Sequence, residues 1–382
     1  MSKPFVTALI DTYNHESFIE EAVASVLEQD FPASETEILV VDDGSTDRTA
    51  EIVGKFAPRV RLLRKRNGGQ GSAFNAGIPE ARGETVAFLD GDDWWAPGKL
   101  SAVASVFVAE PGVGLVGHGI TQVYPDGRRR AELPRELTHF QLDSIEAAKI
   151  FRMRRGFLGT SRMAYRRQVL AQIGVVPEAL KFEADEYLFT LAGVFADVMI
   201  LPTTYTFYRL HGGNLFQFAN GTQDSVRRKQ QVLAALVSSL REKMRELRVR
   251  DDVATATLEC VQLEAECLHL QLDGGFPWET ISTELRTMRV FHSDASIWQS
   301  LFSLARLAPA LVLPAAVYYR WRYQLSEMAA YKKFRRRFFP FPVPDEIERQ
   351  ERPTISCSSR LDPEATSLNA AKPETDKEYR RE

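Results

Sequence analysis

The sequence predicts an α/β fold, a mostly parallel sheet flanked by helices, followed by a C-terminal mostly helical region. Three observations predict it. Short β-rich apolar runs alternate with runs of helical period from Phe5 to Asp90; acidic or glycine-rich residues stand wherever an apolar run stops; and beyond about Thr222 the sequence turns long, charged and helical. Strand and helix in alternation mean parallel strands joined by crossovers and covered on both faces. Ligands of such sheets bind outside the carboxyl ends of the strands.

The elements follow in order. FVTALI (5 to 10) is the first strand, and HESFIEEAVASVLEQ (15 to 29) is a helix whose Phe18, Ile19, Ala22, Val23, Val26 and Leu27 recur at helical spacing. EILVVD (37 to 42) is a strand, Thr46 to Phe56 a helix, VRLLR (60 to 64) a strand, SAFNAGIPEA (72 to 81) a helix and ETVAFLD (84 to 90) a strand. A helix over 97 to 109 and the apolar run GVGLVGHGI (112 to 120) come next, then a polar loop with Arg128 to Arg130. Residues 144 to 173 mix helix with basic side chains. KFEADEYLFTLAGVF (181 to 195) is a helix entered through acids, and MILPTTYTFYRLHGGN (199 to 214) a strand and glycine turn. At 382 residues the chain exceeds one ordinary domain of about 100 to 200 residues, so two units are expected. The boundary is placed at the composition shift, giving units 1–221 and 222–343. The tail 344–382, charged and poor in aliphatics, is expected to be disordered.

Composition excludes several classes. A net charge of -3 leaves no global nucleic-acid footprint, and three cysteines without ligand spacing suggest neither a disulfide framework nor a zinc site. MSKPFVTALIDTYN reads as a buried strand and not a signal peptide. LAPALVLPAAVYY (307 to 319) is shorter than the roughly 20 residues of a spanning helix. A cytoplasmic protein is expected. The segment 307–341, in which Lys332, Lys333 and Arg335 to Arg337 interleave with Tyr331, Phe334, Phe338 and Phe339, has the character of a membrane-surface element. Peripheral contact with the inner face of the cytoplasmic membrane follows as an expectation, with a basic face packed on the protein's own acids and a local nucleic-acid patch as the other readings.

Four constellations sit at strand ends and so share one rim: Asp11; Asp42 and Asp43; Asn67 to Gly71; and Asp90 to Asp93. LVVDDGSTD brings carboxylates and a helix N-terminus together, which suits a nucleobase or ribose and equally suits a shaped turn with Asp47 as cap. NGGQGSAFNAG, preceded by Arg64 to Arg66, matches neither the phosphate-loop pattern nor GxGxxG after the first strand. In FLDGDDWW three carboxylates within four positions repel unless a cation sits among them, and hard divalent ions prefer such oxygens.

The ordered stretches ALIDTYNHESFIEEAVASVLEQ, EILVVDDGSTDRTAEIV and RNGGQGSAFNAGIPEARGETVAFLDGDDWWAPGKL resemble the family 2 glycosyltransferases with the GT-A fold. The resemblance is dense over the first hundred residues and continues more loosely to about 214. It implies a nucleotide-binding half, 1–117, and an acceptor half, 118–221. It also implies inverting transfer of a hexosyl-type sugar from a nucleotide diphosphate, usually of uridine, with Mg2+ or Mn2+. Asp11, Thr12, Tyr13, Asp42, Asn67 and Asp90 would then contact the nucleotide, and Asp92 the metal, with Asp90, Gly91 and Asp92 as the DxD element. Tyr13 is left open as a core aromatic. The family's acidic pair opening a helix falls on Ala184 and Asp185; Asp185 is the implied base and Glu186 the second choice. Arg209 and His211 would meet the diphosphate, His211 also as a metal ligand or only as a turn residue. The tryptophans would line the sugar side or pack the DxD loop. The implied acceptor is a saccharide or lipid-linked saccharide of a cell-surface or extracellular polysaccharide. An inactive nucleotide-sugar-binding module and a metal-dependent nucleotidyltransferase are the alternatives.

Overall fold

The computed structural model describes residues 4–211, 223–291, 301–302, 304–328 and 331. Among them ten strands form one sheet: β1 (Val6–Thr12), β2 (Thr36–Asp42), β3 (Val60–Arg64), β4 (Thr85–Asp90), β5 (Trp94–Trp95), β6 (Val113–Val123), β7 (Arg129–Glu132), β8 (Thr138–Phe140), β9 (Ala164–Arg166) and β10 (Asp197–Arg209). Their order is β3-β2-β1-β4-β9-β6-β10-β5, with β7 on β6 and β8 on β10.

The first four strands are parallel, as the alternation requires. β1, β2 and β4 are nearly continuous apolar runs because α1 (Ile19–Leu27), α2 (Thr49–Gly54), α3 (Gln70–Glu80) and α4 (Lys99–Ala109) cover the sheet and bury both faces in two apolar clusters, while β3 at the edge is half-buried and carries Arg61. Beyond β4 the sheet is mixed. The three-residue β9 runs antiparallel between β4 and β6, and β5, β7 and β8 are antiparallel as well. Ala164, Tyr165 and Arg166 are too short a run to carry a period, so the sequence placed them in a helical stretch.

The helix expected from Thr46 begins at Thr49. Its would-be first amides bind the β1 loop instead: Thr46 N donates to Asn14 Oδ1 at 2.8 Å and Arg48 N to Glu16 Oε2 at 3.0 Å.

On the acceptor half, α5 (Ile145–Arg154), α6 (Arg167–Ile173) and α7 (Ala184–Phe195) precede the C-terminal helices. The charged stretch after 222 is two helices, α8 (Gln223–Glu246) and α9 (Asp251–Asp273), broken where Arg248 takes a positive φ of 56°. Val232, Leu233, Leu236, Leu240, Leu258 and Val261 join Phe151, Leu188 and Leu191 in one core, so the helices are built onto the sheet unit. Two more, α10 (Pro277–Phe291) and α11 (Ala315–Glu327), close a smaller cluster of Leu270, Ala310, Tyr318 and Tyr319. Among the described residues no helix is long and apolar enough to cross a membrane. The glycines 212 and 213, the basic residues 332–337 and the tail 344–382 lie outside the described residues.

Candidate active site

Register alone brings the acids together. Asp11 lies opposite Asp90 on β4, and Thr12 opposite Asp42 on β2. Gly91 sits so close to the β1 loop that a Cβ would come 2.6 Å from Thr12 Oγ1 and 2.9 Å from His15 Nδ1. Only glycine fits there.

The two carboxylates ending β2 are tied down. Asp42 is fully buried, accepts from Ser45 N at 2.8 Å and pairs with Arg64 Nε at 2.9 Å. Each oxygen therefore already accepts a bond. Asp43 accepts from the amides of Gly68 and Gly69 and from Lys65 Nζ at 2.6 Å, fastening the glycine loop to β2. Gly69, with φ 86°, passes so close to Lys181 that a side chain would strike its backbone. Asp47 accepts from Thr49 N at 3.0 Å, but the N-cap position of α2 falls on Arg48, one residue later than the cap expected at Asp47. Asn67 is exposed beside this loop, and Tyr13 is 44% exposed, so it is not a core aromatic.

At the end of β4, Asp90 accepts from Ser161 Oγ at 3.2 Å and faces Gln70 Nε2 at 3.4 Å. Asp92 hydrogen-bonds His211 Nε2 at 2.9 Å, with His15 Nε2 at 4.0 Å. Arg209 donates through Nε to the Asp92 carbonyl at 3.0 Å and through its amide to Asp93 Oδ1, pairs with Glu21, and lies 4.4 Å from the centre of the Trp94 ring. Trp94 stacks on Phe207, and Trp95 is buried beneath the loop. Trp95 is thus an interior side chain, with its indole Nε1 donating to the Ser161 carbonyl at 3.1 Å.

The helix dipole end of α7 carries Asp185 and Glu186, and the fold separates them. Asp185 accepts from Thr160 N at 3.1 Å and Thr160 Oγ1 at 3.3 Å. Thr160 Oγ1 in turn accepts from Gln70 Nε2 at 3.0 Å, the amide that also faces Asp90. Glu186 turns away, onto Arg155, which also approaches Glu264 of α9 at 3.6 Å.

The electrostatics follow from burial without enough cations. Burial first, and then Asp92, pushes the Asp11 carboxyl well above the usual range; Asp90 rises through burial and then Asp11 and Asp92. Asp185 rises by burial, held in check by bonds from the Glu186 and Thr160 amides and by the Arg162 charge. Asp92 behaves oppositely: burial alone would raise it, but the His211 bond and the His15 and His211 charges bring it below its ordinary value. Asp11 Oδ1 and Asp93 Oδ2 are buried without a hydrogen-bond partner.

Among the described residues no group of three His, Cys, Asp or Glu side chains is disposed to hold a metal. The pair Asp92 and His211 is what the rim offers, and it suits an ion that draws its remaining ligands from phosphate oxygens and water. Sequence reading missed His15, Thr160, Ser161 and Arg162, and held Gln70 only as part of the Asn67 to Gly71 cluster. His15 follows the quoted DTYN and had a signal in its residue type; Thr160 to Arg162 carried none, because only the tertiary fold brings them to β4 and α7.

Residues 7–174 match the family model described as Glycosyl transferase family 2. This N-terminal region belongs to glycosyl transferase family 2. An uncharacterized glycosyltransferase of Nostoc sp. is 33% identical over 223 residues, 55% of this chain and 66% of that protein. The poly(ribitol-phosphate) beta-N-acetylglucosaminyltransferase TarS of Staphylococcus aureus is 41% identical over 92 residues, 23% of this chain and 16% of its own. The chain spans about two thirds or less of the curated relatives it matches. The solved structure of S. aureus TarS 1-349 has a TM-score of 0.50 at 21% identity, covering 86% of this chain and 91% of that one, a likeness of GT-A fold.

Proposed function

We infer that the chain transfers a sugar from a nucleotide-diphosphate donor, uridine diphosphate first among the candidates, to a saccharide or lipid-linked acceptor by single displacement with inversion. One observation carries the reading. Asp185 and Asp90 are linked through Thr160 and Gln70, so a candidate base and a nucleotide-side carboxylate face one rim, while Glu186 is spent on Arg155.

In this reading Asp11, Thr12, Tyr13, Asn67 and Asp90 meet the nucleotide. Asp42 is left to the turn it closes. Tyr13, exposed beside Asp11, offers a ring face to a base. Asp185 accepts the proton of the acceptor hydroxyl, and its raised affinity for protons brings it nearer the working pH of a base. Arg209, fixed against Asp92 and Asp93, places a guanidinium beside the departing diphosphate. The residues fit a divalent cation, Mg2+ or Mn2+: Asp92 and His211 would hold it, and the unpartnered buried oxygens of Asp11 and Asp93 show a rim short of positive charge. Such an ion supplies charge compensation for the leaving group.

The proposed acceptor class is a cell-surface or extracellular polysaccharide, with action at the inner face of the cytoplasmic membrane; that one relative is named as a poly(ribitol-phosphate) beta-N-acetylglucosaminyltransferase supports a polymeric acceptor. The test is calorimetric titration of UDP, GDP and dTDP, with and without Mn2+, into the parent and Asp92→Ala. The expected result is metal-dependent binding of one diphosphate that Asp92→Ala weakens at least tenfold. Binding of none of them, under either condition, would remove the reading.

A further inference from the structure

Lys99 opens α4 in the worst place for a lysine. It is fully buried, and at a helix N-terminus, where the dipole disfavours a cation. Burial pushes its amine well below the usual lysine range, although the Asp93 charge opposes that. Its Nζ donates to the carbonyl of Ser161 at 2.7 Å and stands 4.0 Å from the Trp95 ring centre. The same carbonyl accepts from Trp95 Nε1 at 3.1 Å and Thr206 Oγ1 at 2.5 Å. Three donors on one carbonyl exceed its two lone pairs. That convergence fixes the backbone of one short turn, and the turn's other end is held by Phe88 N donating to Met163 O at 3.0 Å.

The side chains above that anchor are the ones that hold the acids. Ser161 Oγ accepts from Asp90 N at 3.0 Å and donates to the Asp90 carboxylate; Thr160 donates twice to Asp185. We propose that Lys99 and Trp95 are positioning residues for the transfer: from beneath the rim they pin the Ser161 carbonyl, so that the Thr160–Ser161 turn keeps Asp90 and Asp185 at a fixed spacing. The geometry stands on the structure, and its consequence for rate rests on the transferase reading above.

The test uses the full chain with Lys99→Met, which keeps length and apolar contact, and Trp95→Phe, which keeps the ring and removes one donor. A slackened turn withdraws Thr160 from Asp185. Asp11, Asp90, Glu183 and, from the other side of the helix start, Glu186 act on that carboxylate as like charges and Arg162 as the cation, so losing the Thr160 donors raises its proton affinity further. The expected result for Lys99→Met is a kcat at least tenfold lower with the acid limb of its pH profile moved upward, and a smaller change of the same sign in Trp95→Phe. A crystal structure of each variant is expected to show the Thr160–Asp185 bonds lengthened or broken. Parent-like rate and pH limb in both variants, or intact Thr160 and Ser161 bonds in their structures, overturns the proposal. Should the parent transfer no sugar, the transferase reading falls, and the variant structures alone decide the positioning claim. Should Lys99→Met fail to fold, Trp95→Phe decides it.

Discussion

At Asp185 and Glu186 one backbone step separates two opposite fates. Asp185 meets Thr160 and the rim; Glu186 is buried on Arg155 and faces the C-terminal helices. Substituting each isosterically should therefore split rate from stability. Glu186→Gln is expected to lower folding stability by about 1–3 kcal/mol, because a buried charge pair loses its anion, while transfer stays within a few-fold of the parent; chemical denaturation alongside initial rates checks it. The sequence showed the acidic helix start but not this division, since both residues lie in the first turn and only Arg155 and Thr160, distant in sequence, tell them apart.

At the scale of elements, the entry to α7 stores a pH dependence. Glu183 caps it with a left-handed φ of 61°, is buried, and has its carboxyl pushed up to about 9 by burial and then by Glu186 and Asp185. Its folded pKa exceeds its unfolded one. Stability is then full below about pH 4.5 and falls as pH rises through about 9, since only the unfolded chain gives up the proton in that window. Glu183→Gln removes the slope, so its stability relative to the parent should climb between pH 5 and 9 by on the order of a few kcal/mol. Urea unfolding at both pH values measures this, and a parallel pair of curves would refute it. Helix α3 gives a second prediction. A Cβ on Gly77 would meet Val41 Cγ2 at 2.7 Å and Leu9 Cδ1 at 2.8 Å, so the helix lies tight on β1 and β2. Gly77→Ala is expected to cost about 1–3 kcal/mol by overpacking, despite alanine's better helix propensity, and a thermal melt reads it.

The elements that sequence periodicity revealed were those with one job. β1, β2 and β4 carry nearly continuous apolar runs because both faces are buried, β3 is a shorter, half-buried edge strand, and the four ends are marked by Asp11, Asp42, Arg64 and Asp90. The elements it missed, β9 and the Thr160–Arg162 turn, are short and take their form from three neighbours at once. The delayed start of α2 belongs to the same class, because Asn14 and Glu16 compete for amides that a local pattern assigns to the helix.

On the scale of the whole molecule, α8 and α9 complete the core under α5 and α7, so deleting the helical region would expose Phe151, Leu188 and Leu191. A membrane role is therefore better tested by point changes than by truncation. Leu311 and Val312, 65% and 80% exposed beside the buried Ala310, are the natural sites. If the helical region rests on an anionic lipid surface, the full chain should float with phosphatidylserine-containing vesicles, and Leu311→Ser with Val312→Ser should reduce that several-fold without changing the melting temperature. Equal flotation of parent and variant would exclude this contact.

In the proposed reading one rim joins nucleotide binding on β1 and β4 to a base on α7. It is tested most directly by comparing donor turnover and nucleoside diphosphate affinity in Asp185→Asn and the parent. The expected result is an affinity within about twofold and a kcat lower by about 10²-fold or more. Undiminished turnover in Asp185→Asn would contradict it.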